Sequence, residues 1–273
     1  MTLIWILLGI VVLIFLLYLL CLRCDRRRDW KKLRGWRYAH RGFHDKPRIP
    51  ENSLPAFKRA VQCGFGAELD VHLMKDGTLA VIHDSSLLRT AGADVQIEDL
   101  TREELENYRL EGTDERIPLF DEVLALFENT TPLIIELKAA NGNHFALSKA
   151  VCERLDSYKG VFCIESFDPM VVADVRELRP GICRGQLAEN FLKDKGALDP
   201  VRSVLATGLI GNALGKPDFI AFKFEDRSCI SNALCLKLWG IQGVAWTIRS
   251  KHDLLTAEAE GLIPIFEKFD PEA

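Results

Sequence analysis

Three carboxylates, two imidazoles and two cations are spaced so that they could act together on a phosphoryl group. The stretch AELDVHLMKDGTLAVIHD, residues 67–84, alternates apolar Leu69, Val71 and Leu73 with Glu68, Asp70 and His72. A strand face that carries such charge must have a use for it, because burying unpaired charge is costly. A third carboxylate, Glu136, lies in IIELK and shares a strand face with Lys138. Brought together, Glu68, Asp70 and Glu136 repel one another unless positive charge sits between them. Oxygen-only ligands suit Mg2+ or Ca2+ better than zinc. Arg41 and Lys138 beside such an ion would favour the negative oxygens of a phosphoryl group. His40 and His83, from separate segments, can serve as base and acid near neutral pH.

These residues need a scaffold that brings their segments to one place. Residues 38–273 alternate short apolar runs with amphipathic helical stretches, the rhythm of a parallel α/β fold. Strands are expected at Tyr38–Arg41, Ala67–Val71, Leu133–Leu137, Val161–Glu165, Cys183–Leu187, Phe219–Phe224, Val244–Ile248 and Pro264–Phe266. Helical segments such as SLPAFKRAVQCG, TREELENYRL and FDEVLALFE fall between them. Eight strands in this order predict a (β/α)8 TIM barrel, whose reactive side chains sit at the C-terminal strand ends. Those ends carry His40 and Arg41, Glu68 and Asp70, Glu136 and Lys138, Glu165, and then Gln186, Lys223 and Trp246. Taken singly, each could be an ion pair, a cap or a solvated face; their joint occurrence on consecutive strands points to a site. Thr78–His83 is expected to return as a hairpin extension of the second strand. With a two-residue Asp76-Gly77 turn, Asp70 would pair with His83, leaving Leu69, Val71, Leu73, Ala80 and Ile82 on the opposite face.

The first 22 residues, MTLIWILLGIVVLIFLLYLLCL, carry no charged side chain and are long enough as a helix to cross about 30 Å of hydrocarbon. Charge follows this run and does not precede it, and no small-residue cleavage site ends it, so it reads as a transmembrane anchor rather than a signal peptide. Residues 23–37, a basic juxtamembrane linker, hold eight Lys or Arg against two Asp. This predicts a single pass with the catalytic domain on the cytoplasmic side, the basic stretch being able to lie on anionic headgroups. The chain's net charge is −4, so the remainder is acidic, and nucleic acid is not an expected partner. The eight scattered cysteines fit free thiols in a reducing compartment, CLRC at 21–24 lacks a zinc-spaced second pair, and Cys21 and Cys24 are candidate palmitoylation sites.

AHRG, PENSLPAFKRAVQCG, AELDVHLMKDGTLAVIHDSSLLRTAG, LTREEL, RIPLFDEVL, LIIELK, SF at 166–167 and VAWTI together resemble, in that order, the glycerophosphodiester phosphodiesterase family of phospholipase-C-like TIM barrels. The resemblance implies hydrolysis of a glycerophosphodiester to glycerol 3-phosphate and an alcohol. It implies one divalent cation, Mg2+ or Ca2+, on Glu68, Asp70 and Glu136, with His40 and His83 as the acid/base pair and His40 favoured as base. Arg41, Glu51, Asn52 and Lys138 fall on motif positions near phosphate and metal, and Trp246 on the one that lines the pocket. The implied chemistry is attack by the substrate's own glycerol hydroxyl, followed by water opening the cyclic phosphate. Two positions depart from the family pattern: the last strand runs into PIFEKFDPEA, leaving Glu267 without an assigned role, and Met74 replaces a common Thr.

His72 is either a contact near the site or a rim histidine, and His44, His144 and His252 are expected in solvent. Gly64 and Gly66 read as a helix stop before the second strand. Three other functions are compatible with parts of the pattern. The anchor raises lysophospholipase D-type hydrolysis of lysophospholipids at the bilayer surface. A non-catalytic barrel binding phospholipid headgroups would need none of the reactive set, and a glycosidase would leave both histidines, Arg41 and Lys138 unused.

Overall fold

In the computed structural model, which describes residues 1–25, 30–193 and 198–273, eight parallel strands close into a barrel with helices outside it. The strands are β1 (Tyr38–Ala39), β2 (Gly66–Leu73), β4 (Leu133–Leu137), β5 (Phe162–Ser166), β6 (Arg184–Ala188), β7 (Phe219–Lys223), β8 (Gln242–Ile248) and β9 (Ile263–Phe266). β1 pairs with both β2 and β9 and so closes the ring. A further strand, β3 (Leu79–Val81), runs antiparallel to β2 outside it.

Alternation sorts each strand into two columns. Leu69, Val71, Leu133, Ile135 and Ile164 pack outward in the main apolar cluster, which also takes Ala60 and Phe57 from the helix Leu54–Gln62. Tyr38, Ile134, Cys163, Phe219, Ala221, Val244, Ile263 and Ile265 fill the barrel. The inward columns are apolar near the N-terminal strand ends and become polar towards the mouth, with Ile134 followed by Glu136, Cys163 by Glu165, and Ala221 by Lys223. Gly185 makes room for Phe219, since a Cβ there would come within 2.2 Å of the ring.

Local sequence sets the segment after β1. Ser53 caps the helix Leu54–Gln62 by accepting from the Ala56 amide, with Pro in the first turn. Gly42, at φ +78°, lets β1 turn sharply beneath that helix, and a Cβ there would meet the Ala56 Cβ at 2.9 Å.

The hairpin differs from expectation. Val71 faces Val81, His72 faces Ala80 and Leu73 faces Leu79, so Asp70 does not pair with His83. The turn is not the two-residue one: the Met74 amide donates to the Thr78 carbonyl at 2.8 Å, which leaves a three-residue loop, 75–77, in which the Asp76 carboxylate accepts from the amides of Thr78 and Arg102. Ala80 and Ile82 therefore leave the face of Leu69 and Val71 and join Met74, Leu87, Ile97 and Leu119 in a separate apolar lobe. Met74 is buried there, which gives the departure from Thr a packing role. TREELENYRL forms only the short helix Arg102–Leu105, opened by a Thr101–Glu104 capping box.

The apolar helix Thr2–Cys21 contains no buried residue, and its length and composition suit either a membrane span or a signal sequence. Of the basic residues after it, Arg26, Arg27 and Arg28 lie outside the described residues. Residues 30–37 run under the barrel, where Leu33 is buried and Trp30 and Trp36 pack against the interior cluster.

Candidate active site

The mouth is a cleft of about 190 Å3 lined by side chains from nearly every strand end, among them His40, Arg41, Glu68, His83, Glu136, Lys138, Glu165, Lys223 and Trp246. Glu68, Asp70 and Glu136 bring one carboxylate oxygen each within 4.8 Å of the others. In register, Asp70 stands beside Glu136 and Glu136 beside Glu165, so the acids form an arc across β2, β4 and β5. The Lys138 ammonium sits 2.7 Å from Glu136 Oε1 and 3.1 Å from Asp70 Oδ1. The Arg41 amide donates to Glu68 Oε2 at 3.0 Å, and its Nε lies 3.6 Å from Asp70 Oδ2. Asn52 Nδ2 donates to Asp70 Oδ2 at 2.8 Å.

The arc holds more negative charge than these cations balance. Burial, then repulsion from Asp70 and Glu136, raises the Glu68 carboxyl well above its usual range. Burial likewise takes Glu136 up to about 7 against the pull of Lys138. Burial also works against a charged Asp70, but Lys138, His83 and Arg41 outweigh it and hold Asp70 low. One firmly ionised carboxylate beside two held back by burial and each other is a donor set suited to a hard divalent cation, which would let all three ionise. Among the described residues, buried Asp70 Oδ1 faces the Lys138 ammonium at 3.1 Å without a well-aligned hydrogen bond, so a coordination position remains on it. Glu165 is buried behind the arc, with its carboxyl raised by burial and by Glu136.

Both imidazoles are backed by carboxylates. His40 Nδ1 lies 2.7 Å from Glu267 Oε2, and Glu267 Oε1 accepts from Arg249 Nε at 2.7 Å. His83 Nδ1 lies 2.5 Å from Asp84 Oδ1. Donation from each Nδ1 to its carboxylate fixes the tautomer and leaves Nε2 to exchange protons. The His40 Nε2 is 3.9 Å from Glu68 Oε2. Burial lowers His40 to about 4 despite the hydrogen bond to Glu267, and burial lowers His83 as well, against the pull of Asp70 and of the hydrogen bond to Asp84.

His83 reaches the mouth by a route the hairpin register did not predict. The chain bends after Val81, and buried His72 holds the bend by donating from Nε2 to the His83 carbonyl at 3.2 Å, with Nδ1 2.6 Å from Glu98 Oε1. Arg89 then bridges Asp84 and Glu51, and Glu51 accepts from Arg41 Nη1 at 2.8 Å and also pairs with Lys46. Glu51 is thus tied to three cations, and His83 connects through charge pairs to Arg41.

Of the expected site residues, Gln186 points away from the cleft and donates to the Ser166 and Phe167 carbonyls, because β6 turns Gly185 and Leu187 inward. Trp246 meets Phe167 edge to face at 5.7 Å and forms an aromatic wall. His44 has a side chain only 6% exposed, with Nε2 3.9 Å from Glu267 Oε2, and is not the solvent histidine expected. Glu267, Asp84 and Arg249 received no role from the sequence. Asp84 follows His83 directly, the one local hint; Glu267 meets His40 across 227 positions, which no short motif reveals.

Fold and mouth define a TIM barrel built around an acidic pocket flanked by cations and imidazoles. The chain belongs to the glycerophosphoryl diester phosphodiesterase family, whose model matches residues 40–266. A glycerophosphodiester phosphodiesterase of Caldanaerobacter subterraneus is 36% identical over 161 residues, 55% of this chain and 65% of that protein. Homo sapiens lysophospholipase D is 39% identical over 121 residues, 40% of this chain and 37% of that protein. The matches therefore span between about a third and two thirds of these curated relatives. The solved Thermotoga maritima glycerophosphodiester phosphodiesterase superposes with a TM-score of 0.63 at 25% identity, covering 84% of this chain and 92% of that one. An Oleispira antarctica phosphodiesterase in complex with its product sn-glycerol-3-phosphate shares the fold, with a TM-score of 0.69 at 23% identity over 85% of this chain and 92% of that one.

Proposed function

We propose that the chain is a membrane-anchored, divalent-cation-dependent phosphodiesterase that hydrolyses glycerophosphodiesters to glycerol 3-phosphate and an alcohol. The observation that carries this reading is the convergence at one barrel mouth of three carboxylates with two carboxylate-backed imidazoles. Glu68, Asp70 and Glu136 would hold one Mg2+ or Ca2+, which when bound would offset negative charge on the phosphoryl oxygens. Arg41 and Lys138 hold the substrate phosphate beside it, and Trp246 lines the pocket. His40 Nε2 takes the proton from the substrate's glycerol hydroxyl as that oxygen bonds to phosphorus, and protonated His83 gives its proton to the departing alcohol oxygen. In the second stage His83, now neutral, takes a proton from water as the water oxygen attacks the cyclic phosphate. His40 returns its proton to the leaving glycerol oxygen, restoring both rings. Glu51 and Asn52 position Arg41 and Asp70, and Glu165 closes the back of the acidic arc.

The helix Thr2–Cys21 is read as a single-pass anchor, with the barrel on the cytoplasmic side because of the basic residues that follow. Hydrolysis of lysophospholipids is a second reading, favoured by the likeness to Homo sapiens lysophospholipase D. Incubating the purified full chain with glycerophosphocholine and following phosphorus by NMR tests the main reading. Glycerol 3-phosphate should accumulate in the wild type and fail to do so in His40→Ala and His83→Ala; an unchanged rate in either variant removes the acid/base assignment.

A further inference from the structure

We infer that the apolar helix fastens the closed end of the barrel to the bilayer and turns the mouth to the aqueous phase. The site is then served by phosphodiesters arriving from solution and not by lipids of the bilayer that carries the protein. This rests on the phosphodiesterase and anchor readings above and adds the direction of substrate access.

The chain docks on the barrel as soon as the helix ends. Leu22 is fully buried and Cys24 nearly so. The Asp25 amide donates to the Pro217 carbonyl at 3.0 Å, and Asn212 Nδ2 lies 3.6 Å from Cys24 Sγ. Pro217 stands just before β7, at its N-terminal end. Further along, Trp30 meets Phe219, the first residue of β7, edge to face at 5.4 Å, and Arg34 donates to Gln242, the first residue of β8, at 2.5 Å. The attachments of Asp25, Trp30 and Arg34 are at the strand starts and that of Cys24 is on the short helix Asn212–Gly215 leading into β7, while Lys223 and Trp246, towards the other ends of the same two strands, line the mouth.

Two physical consequences follow. Leu22 and Cys24 are packed and the Asp25 amide is bonded to the body, so no flexible linker separates the span from the body, and the barrel cannot swing freely to lay its mouth on the headgroups. A five-residue strand such as β7 at roughly 3.3 Å per residue puts about 15 Å between tether and mouth. Only the last turn of the helix touches the body, through half-buried Tyr18, and residues 2–17 are exposed, so the helix leaves the body and does not run up the barrel wall towards the mouth. A lysophospholipid in the same bilayer would have to withdraw its acyl chain to bring its phosphodiester into the cleft, and each methylene drawn into water makes that less favourable.

The test uses the full chain reconstituted in phosphatidylcholine vesicles carrying a headgroup-labelled acceptor lipid. A donor dye is placed on native Cys63, an exposed residue in the turn leading into the start of β2, or on Leu192→Cys, exposed beside the mouth, in a Cys63→Ser background. Stronger energy transfer from Cys63 than from position 192 is expected; equal or reversed efficiencies overturn the orientation, and no transfer from either overturns the anchor with it. Turnover is then compared for glycerophosphocholine, a water-soluble short-chain lysophosphatidylcholine, and a long-chain lysophosphatidylcholine embedded in the enzyme's own vesicles. The first two should be hydrolysed and the third not. Hydrolysis of the embedded lipid at the rate of the soluble one overturns the access claim. Hydrolysis of glycerophosphocholine alone moves the discrimination into the pocket and overturns access as its cause. Failure with all three defeats the phosphodiesterase reading, which the energy-transfer result keeps separate from the orientation.

Discussion

The mouth and the floor of this barrel are built from the same strands, yet they solve opposite problems. At the floor, the inward column is Tyr38, Phe219 and Val244, closed beneath by Trp30, Leu33 and Trp36, and Tyr38 Oη donates to the Leu33 carbonyl at 2.9 Å. Two to four residues further on, the columns become His40, Lys223 and Trp246, joined by Glu136 and Glu165, and Glu68, Glu136 and Glu165 are held above their usual range by burial and by neighbouring acids. The floor gains from every apolar group it buries, whereas the mouth keeps charges that folding alone would neutralise. Stability therefore resides at one end and the proposed chemistry at the other.

The sharpest separation is expected from His40→Ala, which should lower kcat on glycerophosphocholine by about 10²–10⁴-fold while leaving the thermal unfolding midpoint close to that of the wild type. Phe219→Ala should do the reverse at the floor. Truncating this fully buried ring should cost about 3–5 kcal/mol in urea unfolding, with kcat retained at temperatures where the variant remains folded. Comparable losses of kcat and stability in both variants would erase the distinction between the two ends.

Glu267→Gln sharpens the comparison within the mouth. Glu267 raises His40, whose value burial nonetheless takes down to about 4. Removing its charge should lower the ring further, so kcat falls by less than in His40→Ala and the acid limb of the rate profile moves to lower pH. A limb that moves to higher pH would show that Glu267 does not act on His40. Because the folded-state value of His40 lies below the ordinary 6.5, its neutral ring contributes stability that is fully present above about pH 6.5 and lost as pH falls through about 4. Urea midpoints measured across that window should decline less steeply in His40→Ala than in the wild type. The smallest effect is expected outside both ends. His144, held above its ordinary value by the hydrogen bond to Asp174, should contribute less than about 1 kcal/mol. That contribution should be present below pH 6.5 and fade as pH rises through the raised value, so His144→Ala should change the urea midpoint slightly at pH 5.5 and not at pH 8.

Strand parity made much of this legible. Leu133–Leu137 has the bounds its apolar run predicts, and once Glu136 is inward its neighbours in register, Asp70 and Glu165, must join it. Gln186 failed for the same reason. Cys183–Leu187 was expected where β6 spans Arg184–Ala188, and a small residue at 185 hides which parity faces in. The hairpin register was misread because Asp76 spends its carboxylate on the amides of Thr78 and Arg102, a commitment to a distant helix that the Asp-Gly pair does not disclose. Trp30 and Leu33 were hidden among Lys and Arg, where charge suggested a solvated linker. Glu267 was invisible because its partner is 227 positions away.

The central claim is that Glu68, Asp70 and Glu136 hold the divalent cation on which phosphodiester cleavage depends. Its most direct test is the rate of glycerol 3-phosphate release from glycerophosphocholine by the full chain after exhaustive chelation, then after addition of Mg2+ or Ca2+, with Asp70→Asn alongside. The rate should vanish on chelation, return with one of these ions in the wild type, and stay low in Asp70→Asn at the same ion concentration. Undiminished release from the chelated wild type would contradict the account.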